Sequence, residues 1–591
     1  MDFTDINTLI LPVGHLPLVR AAMDEPQILD VIEERCPARA GSRVTDAECM
    51  GGMILNVLSG HVALYRMEKH MAQLDAEVLL GKGVPADAFN DTRLAAMLDH
   101  VDEAGTDNVF SAVVDRYLAR PDRVREYSVY QDFTSILLWG VYFGEHDPQP
   151  VHGFSKEHRP DLKQLVFGLT RHGSAGIPLV HSVLAGNTSD PAANRDHLAQ
   201  LSKLLPDEDD VTVVADCKLV DADTLGRVLG AGFHLVSLVP DSYNLRRNLI
   251  DQAWLNHPEL DSWPELGRQD GRRKDLPDKV YRGVSFERPM AVGLRVGGRE
   301  SAQPVVSFEP MRFVVVNSTA LARKFDAALP GKLDRERKRL GAFASSSNRL
   351  GYAWEEDALA AAHAQVKSVR YHKVDITVAA VEKPIKRSKR GRPRGDDPRR
   401  TKTIWTVAFA LDVDPALVDQ ARRRGSCFVL VTDHLAQEPG WDDVRVLAEY
   451  RHQYLIEGHT GFRWLKSEAA VAPMFLKTPS RMRAMGLVLV LALMVRNYIQ
   501  FKLRAALRDR KETLPHPFTK KEVGKLTTEM AFEHFAGVLS VSVAEANDRP
   551  PTRQHPQLRP PAQRIVALLG YSIDIFWRPP PRRVLLVGQR K

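Results

Sequence analysis

Between residues 44 and 118 the apolar positions repeat with the period of a helix. In "VTDAECMGGMILNVL", Met50, Met53, Ile54, Val57 and Leu58 follow that period. They stand behind a capping box, Thr45 and Glu48, whose side chains can satisfy amides left free in a first helical turn. Leu94, Met97, Leu98 and Val101 repeat the pattern behind Asn90 and Asp91, and Val109, Phe110, Val113, Val114 and Tyr117 repeat it behind Thr106. Residues 1–122 are therefore expected to be helical. Helical DNA-binding modules have this texture, and so do ordinary bundles.

From Arg125 the pattern changes to short β-rich runs. "YSVYQDFTS", "LKQLVFGLT" and "GIPLVHSVLAGN" predict three strands, and "NTSDPAANRDHLAQLSKLL" a helix with Pro191 in its first turn. "VTVVAD" is a β-branched run suited to a strand buried on both faces. A helix over 221–229 and the strand "FHLVSLV" complete a mixed α/β order across 123–240. Residues 241–425 interrupt it with many charges and the β-like runs "MRFVVVNS", "KVDITVAAV" and "TIWTVAFAL". Alternation resumes over 426–508 with "CFVLVTD" and a helix carrying Glu457. Residues 509–591, polar and Pro-rich, predict a loosely packed extension.

At 591 residues the chain exceeds one ordinary core, and 44% hydrophobic with 26% charged residues describes a globular protein. The net charge of +7 leans toward a polyanionic partner. Cys36, Cys49, Cys217 and Cys427 lie far apart without metal-ligand spacing, so a disulfide framework is not expected and a reducing cytosol fits. The N-terminal run lacks the pattern of a signal peptide. The apolar stretch Ala484–Val495 is short for a bilayer and predicts a buried core helix. The His-containing loop "GEHDPQPVHGFSKEH" fits no standard zinc spacing.

Two aspartates stand at strand ends, Asp132 in "YQDFTS" and Asp216 in "VTVVAD". In an open α/β sheet functional groups gather outside the carboxyl ends of strands. Like charges placed side by side there are unfavourable unless a cation lies between them. With a third carboxylate they make an oxygen-rich site for Mg²⁺ or Mn²⁺. Aspartate after a strand also serves commonly as a turn or helix cap, and taken singly either residue fits that role.

"QDFTS…GFSKEHRPDLKQLVFGL…GIPLVHSVLAGNTSD" resembles the first catalytic block of DDE transposases of bacterial insertion sequences, in the IS-four superfamily and its IS-sixteen-thirty-four-like branch. "VVADCKLVDADTLGRVLGAGFHLVSLVP" resembles the second block, and "YRHQYLIEGHTGFRWLK" the third, a tyrosine–arginine–glutamate–lysine signature. "FNDTRLAAMLDHV" is similar to the N-terminal region of that branch. The resemblance spans roughly residues 45 to 505 and rests on the order of three blocks.

It implies a ribonuclease-H-like catalytic domain interrupted by a β-rich insertion, with a helical N-terminal DNA-binding region. It further implies Asp132, Asp216 and Glu457 as catalytic triad and metal ligands, with Mg²⁺ or Mn²⁺ as cofactor. Tyr450, Arg451, Arg463 and Lys466 would contact DNA. Two positions depart from the signature: Gln453 stands where it has arginine and Trp464 where it has lysine, with Lys466 two residues late. Tyr450 and Glu457, seven apart, are expected to share a helix face. Cys217 reads as packing. Segment 383–402, "KPIKRSKRGRPRGDDPRRTK", sets ten Lys or Arg against two Asp. Its Arg390-Gly391-Arg392-Pro393 resembles an AT-hook core that fits a narrow minor groove through Arg390 and Arg392; the alternative is a solvated loop between two strands.

The expected activity is metal-dependent cleavage at insertion-sequence ends and strand transfer into target DNA. The expected partners are double-stranded DNA, as terminal inverted repeats and target, and a second copy of the chain. The expected place is the bacterial cytoplasm, with no membrane. The alternatives are a metal-dependent nuclease on the same fold and a non-catalytic DNA-binding regulator.

Overall fold

The computed structural model describes the chain apart from residues 1–5, 40, 61, 124–127, 143, 154–158, 174, 206–209, 272–276, 295–304, 385–400, 459, 467–477, 546–551 and 583–591. It divides into two compact units, Met1–Ser237 with Met290–Glu309 and Glu449–Lys591, and Leu238–Pro289 with Pro310–Ala448.

The first unit opens with strand β1 (Ile6–Pro12), followed by helices that match the predicted pattern. Helix Asp46–Leu58 is buried along its whole length, and its capping box is formed. The Thr45 hydroxyl accepts from the Glu48 amide at 3.0 Å, and the Glu48 carboxylate accepts from the Thr45 amide at 2.7 Å. Helix Asp91–Ala104 begins at Asn90, whose side chain accepts from the Arg93 amide. The apolar faces foreseen in both helices, and in Thr106–Leu118, are buried. The buried Asp46 is held by Arg93 at 2.5 Å and by His100 at 2.5 Å, so its charge has partners inside the bundle.

Strands β2 (Ser128–Leu138), β3 (Lys163–His172), β4 (Pro178–Ala185), β5 (Thr212–Ala215) and β6 (His234–Leu238) form a mixed sheet in the order β4-β3-β2-β5-β6. β2, β3 and β4 are antiparallel neighbours, whereas β5 runs parallel to both β2 and β6. Helix Asp190–Leu204 covers one face: Asn194 accepts from Gln131 at 2.6 Å, and the His197 ring lies 4.9 Å from that of Phe133. His197 is itself buried between the hydroxyls of Thr170 (2.9 Å) and Ser182 (2.8 Å). Burial, reinforced by His181, pushes its pKa down to about 3 and keeps the ring neutral.

The predicted apolar run lies within a 32-residue helix, Pro479–Arg510. By length and composition this helix could cross a membrane, but 94% of its apolar window is buried inside the fold. It carries buried Arg496, Asn497 and Gln500, and Arg481 and Arg483 each grip helix Asp91–Ala104 by two-pronged bonds to Asp99 and Asp102. Residues beyond 509 differ from the expected loose extension. Strand Leu539–Glu545 pairs antiparallel with β1, and helix Pro560–Leu569 buries Ala562, Ile565, Val566, Leu568 and Leu569. Arg553 reaches Asp75 and Glu77 in the N-terminal helices. The prolines mark turns and a helix start between short ordered pieces; they do not prevent packing.

The second unit contains β7 (Glu265–Gln269), most of β8 (Lys279–Leu294) and of β9 (Val305–Ser318), the hairpin β10 (His372–Pro384) and β11 (Thr401–Val413), and β12 (Cys427–Thr432). β12, β9, β8 and β7 neighbour one another in that order. The predicted β runs are present, together with helices Asn244–Asn256, Thr319–Leu350, Glu355–Val366 and Pro415–Gly425 that make the interruption mixed α/β. Thr319–Leu350 is legible poorly in sequence because only Phe325, Glu336 and Leu340 are buried along it and Pro330 lies inside it.

Candidate active site

Asp132 and Asp216 are brought together by sheet register. The parallel pairing of β2 with β5 runs from Ser128↔Thr212 to Tyr130↔Val214, and two residues further along each chain stand Asp132 and Asp216. Both line one cavity of about 350 Å³, with Thr134, Gln164, Ser189 and Lys218. Asp132 is only 9% exposed, and its carboxylate accepts from the Phe133 amide at 2.8 Å. Asp216 caps the short turn Cys217–Leu219, accepting from the Lys218 amide at 2.9 Å. Its backbone carbonyl accepts from the buried Ser237 hydroxyl at 2.8 Å. The cap and the shared cavity coexist in one residue.

The third block lies on the opposite face of β2 from helix Asp190–Leu204. Tyr130, on the same face as Asp132 by strand alternation, donates its hydroxyl to Glu449 at 2.8 Å. The expectation that Tyr450 and Glu457 share one helix is corrected. Helix Asp443–His452 ends before Gln453, and Glu457 is the exposed last residue of the four-residue helix Tyr454–Glu457. A further short helix, Phe462–Leu465, follows. The amides of Gln453, Ile456 and Gly458 bond three residues back, so the backbone tightens instead of continuing as an α-helix.

The physical reason is a clamp that sequence reading missed. Buried Arg171 of β3 donates to the carbonyls of Leu455 (3.2 Å) and Thr460 (3.0 Å) and to the Thr460 hydroxyl (2.9 Å). Asn497 donates to the Thr460 carbonyl at 3.0 Å and to Gly176 at 2.7 Å. Gly461 admits the close return of the chain, since a Cβ there would lie 1.9 Å from the Ile456 carbonyl oxygen. An arginine inside the apolar strand "LVFGLTRH" was the available signal. We expect Thr460→Val to lower unfolding free energy by about 1–2 kcal/mol and Arg171→Met by about 3 kcal/mol or more, because buried carbonyls lose their donor. Urea unfolding measures both, and an Arg171→Met protein as stable as the parent would refute the clamp.

Tyr450 is the residue on which the three acids converge electrostatically. Burial first, then the negative charges of Asp216, Cys217, Glu457 and Asp132 in that order, push its phenol well above the ordinary range. It therefore stays a neutral hydrogen-bond donor at physiological pH. Arg451 lies in the last turn of helix Asp443–His452, while Arg463 and Lys466 are exposed on and just after Phe462–Leu465. Trp464, at the signature's lysine position, lies under the Arg496 guanidinium at 5.4 Å. Arg390 and Arg392 lie outside the described residues. Their segment joins the ends of the β10–β11 hairpin, where Pro384 pairs with Thr401.

All the candidate ligands are carboxylates, the donors that Mg²⁺ or Mn²⁺ takes, and Asp132 with Asp216 fit such an ion at the shared cavity. Among the described residues, no three His, Cys, Asp or Glu side chains are grouped closely enough to hold a metal. Glu457 shares a neighbourhood with the pair through Tyr450 without closing the set.

A family model described as a domain of unknown function, DUF4277, matches residues 8–115. No curated protein matches. Among solved structures the chain is similar to piggyBac transposase, in a cryo-EM structure of its synaptic complex with hairpin DNA, at 10% identity and a TM-score of 0.25. The alignment covers 46% of this chain and 58% of that one, so the likeness to a transposase is weak and partial.

Proposed function

We propose that the chain is a DDE-type DNA transposase of the IS-four superfamily, cutting at insertion-sequence ends and joining the ends to target DNA. The observation that carries this reading is the register that levels Asp132 with Asp216 at one cavity, with Glu457 in the same electrostatic neighbourhood. The strand order β4-β3-β2-β5-β6, three antiparallel and the rest parallel, supports a ribonuclease-H-like assignment for the sheet. The three ordered sequence blocks support the superfamily.

In this reading Asp132, Asp216 and Glu457 hold Mg²⁺ or Mn²⁺. The bound cations would supply Lewis-acid activation of a water or 3′-hydroxyl in phosphodiester attack. The neutral Tyr450 phenol donates a hydrogen bond to a DNA oxygen, and Arg451, Arg463 and Lys466 fix the strand by its phosphates. The protein acts in the bacterial cytoplasm, as a dimer or higher on paired ends.

The test is incubation of the purified chain with Mg²⁺ and DNA carrying its own element ends beside a target plasmid. Nicks that leave 3′-hydroxyls at the ends, together with joined products, support the proposal. Cleavage without joining supports the nuclease alternative, and sequence-specific binding with neither supports the regulator. Mass measurement of the DNA complex should give two or more chains.

The basic segment contributes affinity of a different kind. Arg390→Ala with Arg392→Ala should weaken DNA binding and flatten its dependence on salt by about two counterions, since the slope of log K against log[salt] is about −0.9 per neutralised phosphate. Equal losses on A·T-rich and G·C-rich probes would reduce the AT-hook to backbone contact. An unchanged salt slope would make the segment a solvated loop.

A further inference from the structure

A second charged cavity lies wholly within the second unit. It has a volume of about 780 Å³, within the range of small-ligand sites. Arg246, Arg247, Lys332, Lys367, Arg370 and Arg424 line it, against one lining carboxylate, Asp241. Two of the six cations are already engaged. Arg246 stands 3.1 Å from Asp241 and donates to the Cys427 carbonyl at 2.9 Å, and Arg424 makes a two-pronged pair with Asp251 at 2.8 and 2.6 Å.

The side chains of the other four have less compensation. Among the described residues no carboxylate is paired with the side chains of Arg247, Lys367 or Arg370, all of which are exposed; Glu336 accepts only from the backbone amide of Arg370, at 2.8 Å. Lys332 is half-buried with its ammonium 3.8 Å from the Phe325 ring centroid. Burial, and then the charge of Arg335, lower its pKa. Converging like charges of this kind are unfavourable in the absence of an anion. Beside Ser368, Tyr371 and Gln420, the lining carries an apolar part formed by Ile250, Leu321, Phe325, Leu417 and Phe428. An inorganic anion alone would leave that surface unused.

We infer that this cavity binds a phosphorylated ligand of nucleotide size. The phosphate lies on Arg247, Lys367 and Arg370, and the base lies on the part-exposed apolar wall of Leu321, Leu417 and Phe428. Guanidinium groups match phosphate geometry, and aromatic faces accept any base. The source is either a free nucleotide or one unit of a single strand. The inference is independent of the proposed chemistry, whose carboxylates belong to the first unit.

Calorimetric titration of the full chain in EDTA, with inorganic phosphate, ATP and single-stranded oligothymidylate as separate probes, tests it. EDTA keeps metal-dependent contacts out of the measurement. ATP or oligothymidylate should bind at least about tenfold more tightly than phosphate, and Arg247→Ala/Lys367→Ala/Arg370→Ala should weaken that binding at least about tenfold through lost charged hydrogen bonds. All three side chains are exposed and like-charged, so the triple variant should melt at the parent's temperature or higher, which confirms folding. Tighter binding of oligothymidylate than of ATP assigns the strand, and the reverse assigns a free nucleotide. Binding of neither, phosphate binding as tightly as both, or an unchanged affinity in the triple variant would overturn the inference.

Discussion

Asp132→Asn and Asp216→Asn are each expected to reduce Mg²⁺-dependent end cleavage by about 10³-fold or more, equivalent to about 4 kcal/mol of barrier. Neither change should cost the fold. In Asp132→Asn the amide carbonyl oxygen of the new side chain can still accept from the Phe133 amide, and in Asp216→Asn it can still cap the turn at Lys218. Both substitutions remove one of two like charges at the shared cavity, so metal-free protein should melt at the same temperature or higher. The combination of lost chemistry with retained or raised stability separates a metal-holding pair from a pair of structural caps. A structural pair would give the opposite result, lower melting temperature with cleavage preserved among the molecules that remain folded. Gel-resolved cleavage and thermal unfolding in EDTA supply the two readings.

Much of this arrangement was legible in the chain itself. The helices over 46–58, 91–104 and 106–118 follow from apolar periodicity with side-chain caps at two of their starts, and Asp216 stands just past the strand expected from its β-branched run, whereas Asp132, expected at a strand end, lies inside the longer β2. What local pattern does not carry is register, and register is what levels the two aspartates, through a pairing between residues some eighty positions apart. The tightened backbone around Glu457 was hidden for a similar reason. Its cause is Arg171, far away in sequence and attached to the segment only through buried hydrogen bonds to Leu455 and Thr460. At the C-terminus the proline content masks the apolar spacing of Ile565, Val566, Leu568 and Leu569, which packs a helix there. Segment 385–400 and Glu468 fall outside the described residues.

The structure sharpens the choice of third carboxylate. Glu449 faces the same side of β2 as Asp132 but accepts the Tyr130 hydroxyl at 2.8 Å, which gives it a structural task. Glu457 is exposed at the end of a short helix and joins Asp216 and Asp132 in acting on the Tyr450 phenol. A Gln side chain keeps the shape and hydrogen-bonding capacity of either residue while removing the charge a hard cation requires. Glu457→Gln is therefore expected to lower Mg²⁺-dependent cleavage by at least about 10²- to 10³-fold, about 3–4 kcal/mol, with end binding within several-fold of the parent. Glu449→Gln should keep its acceptor for Tyr130 and cleave within about threefold of the parent, a difference below 1 kcal/mol. Glu468→Gln should also remain active. Because Glu457 is exposed and, among the described residues, makes no fold-defining contact comparable to that of Glu449, a loss of binding together with cleavage in Glu457→Gln would point to DNA positioning and away from metal. Full cleavage by Glu457→Gln, or a dead Glu449→Gln protein that still melts normally, would move the third ligand from Glu457 to Glu449.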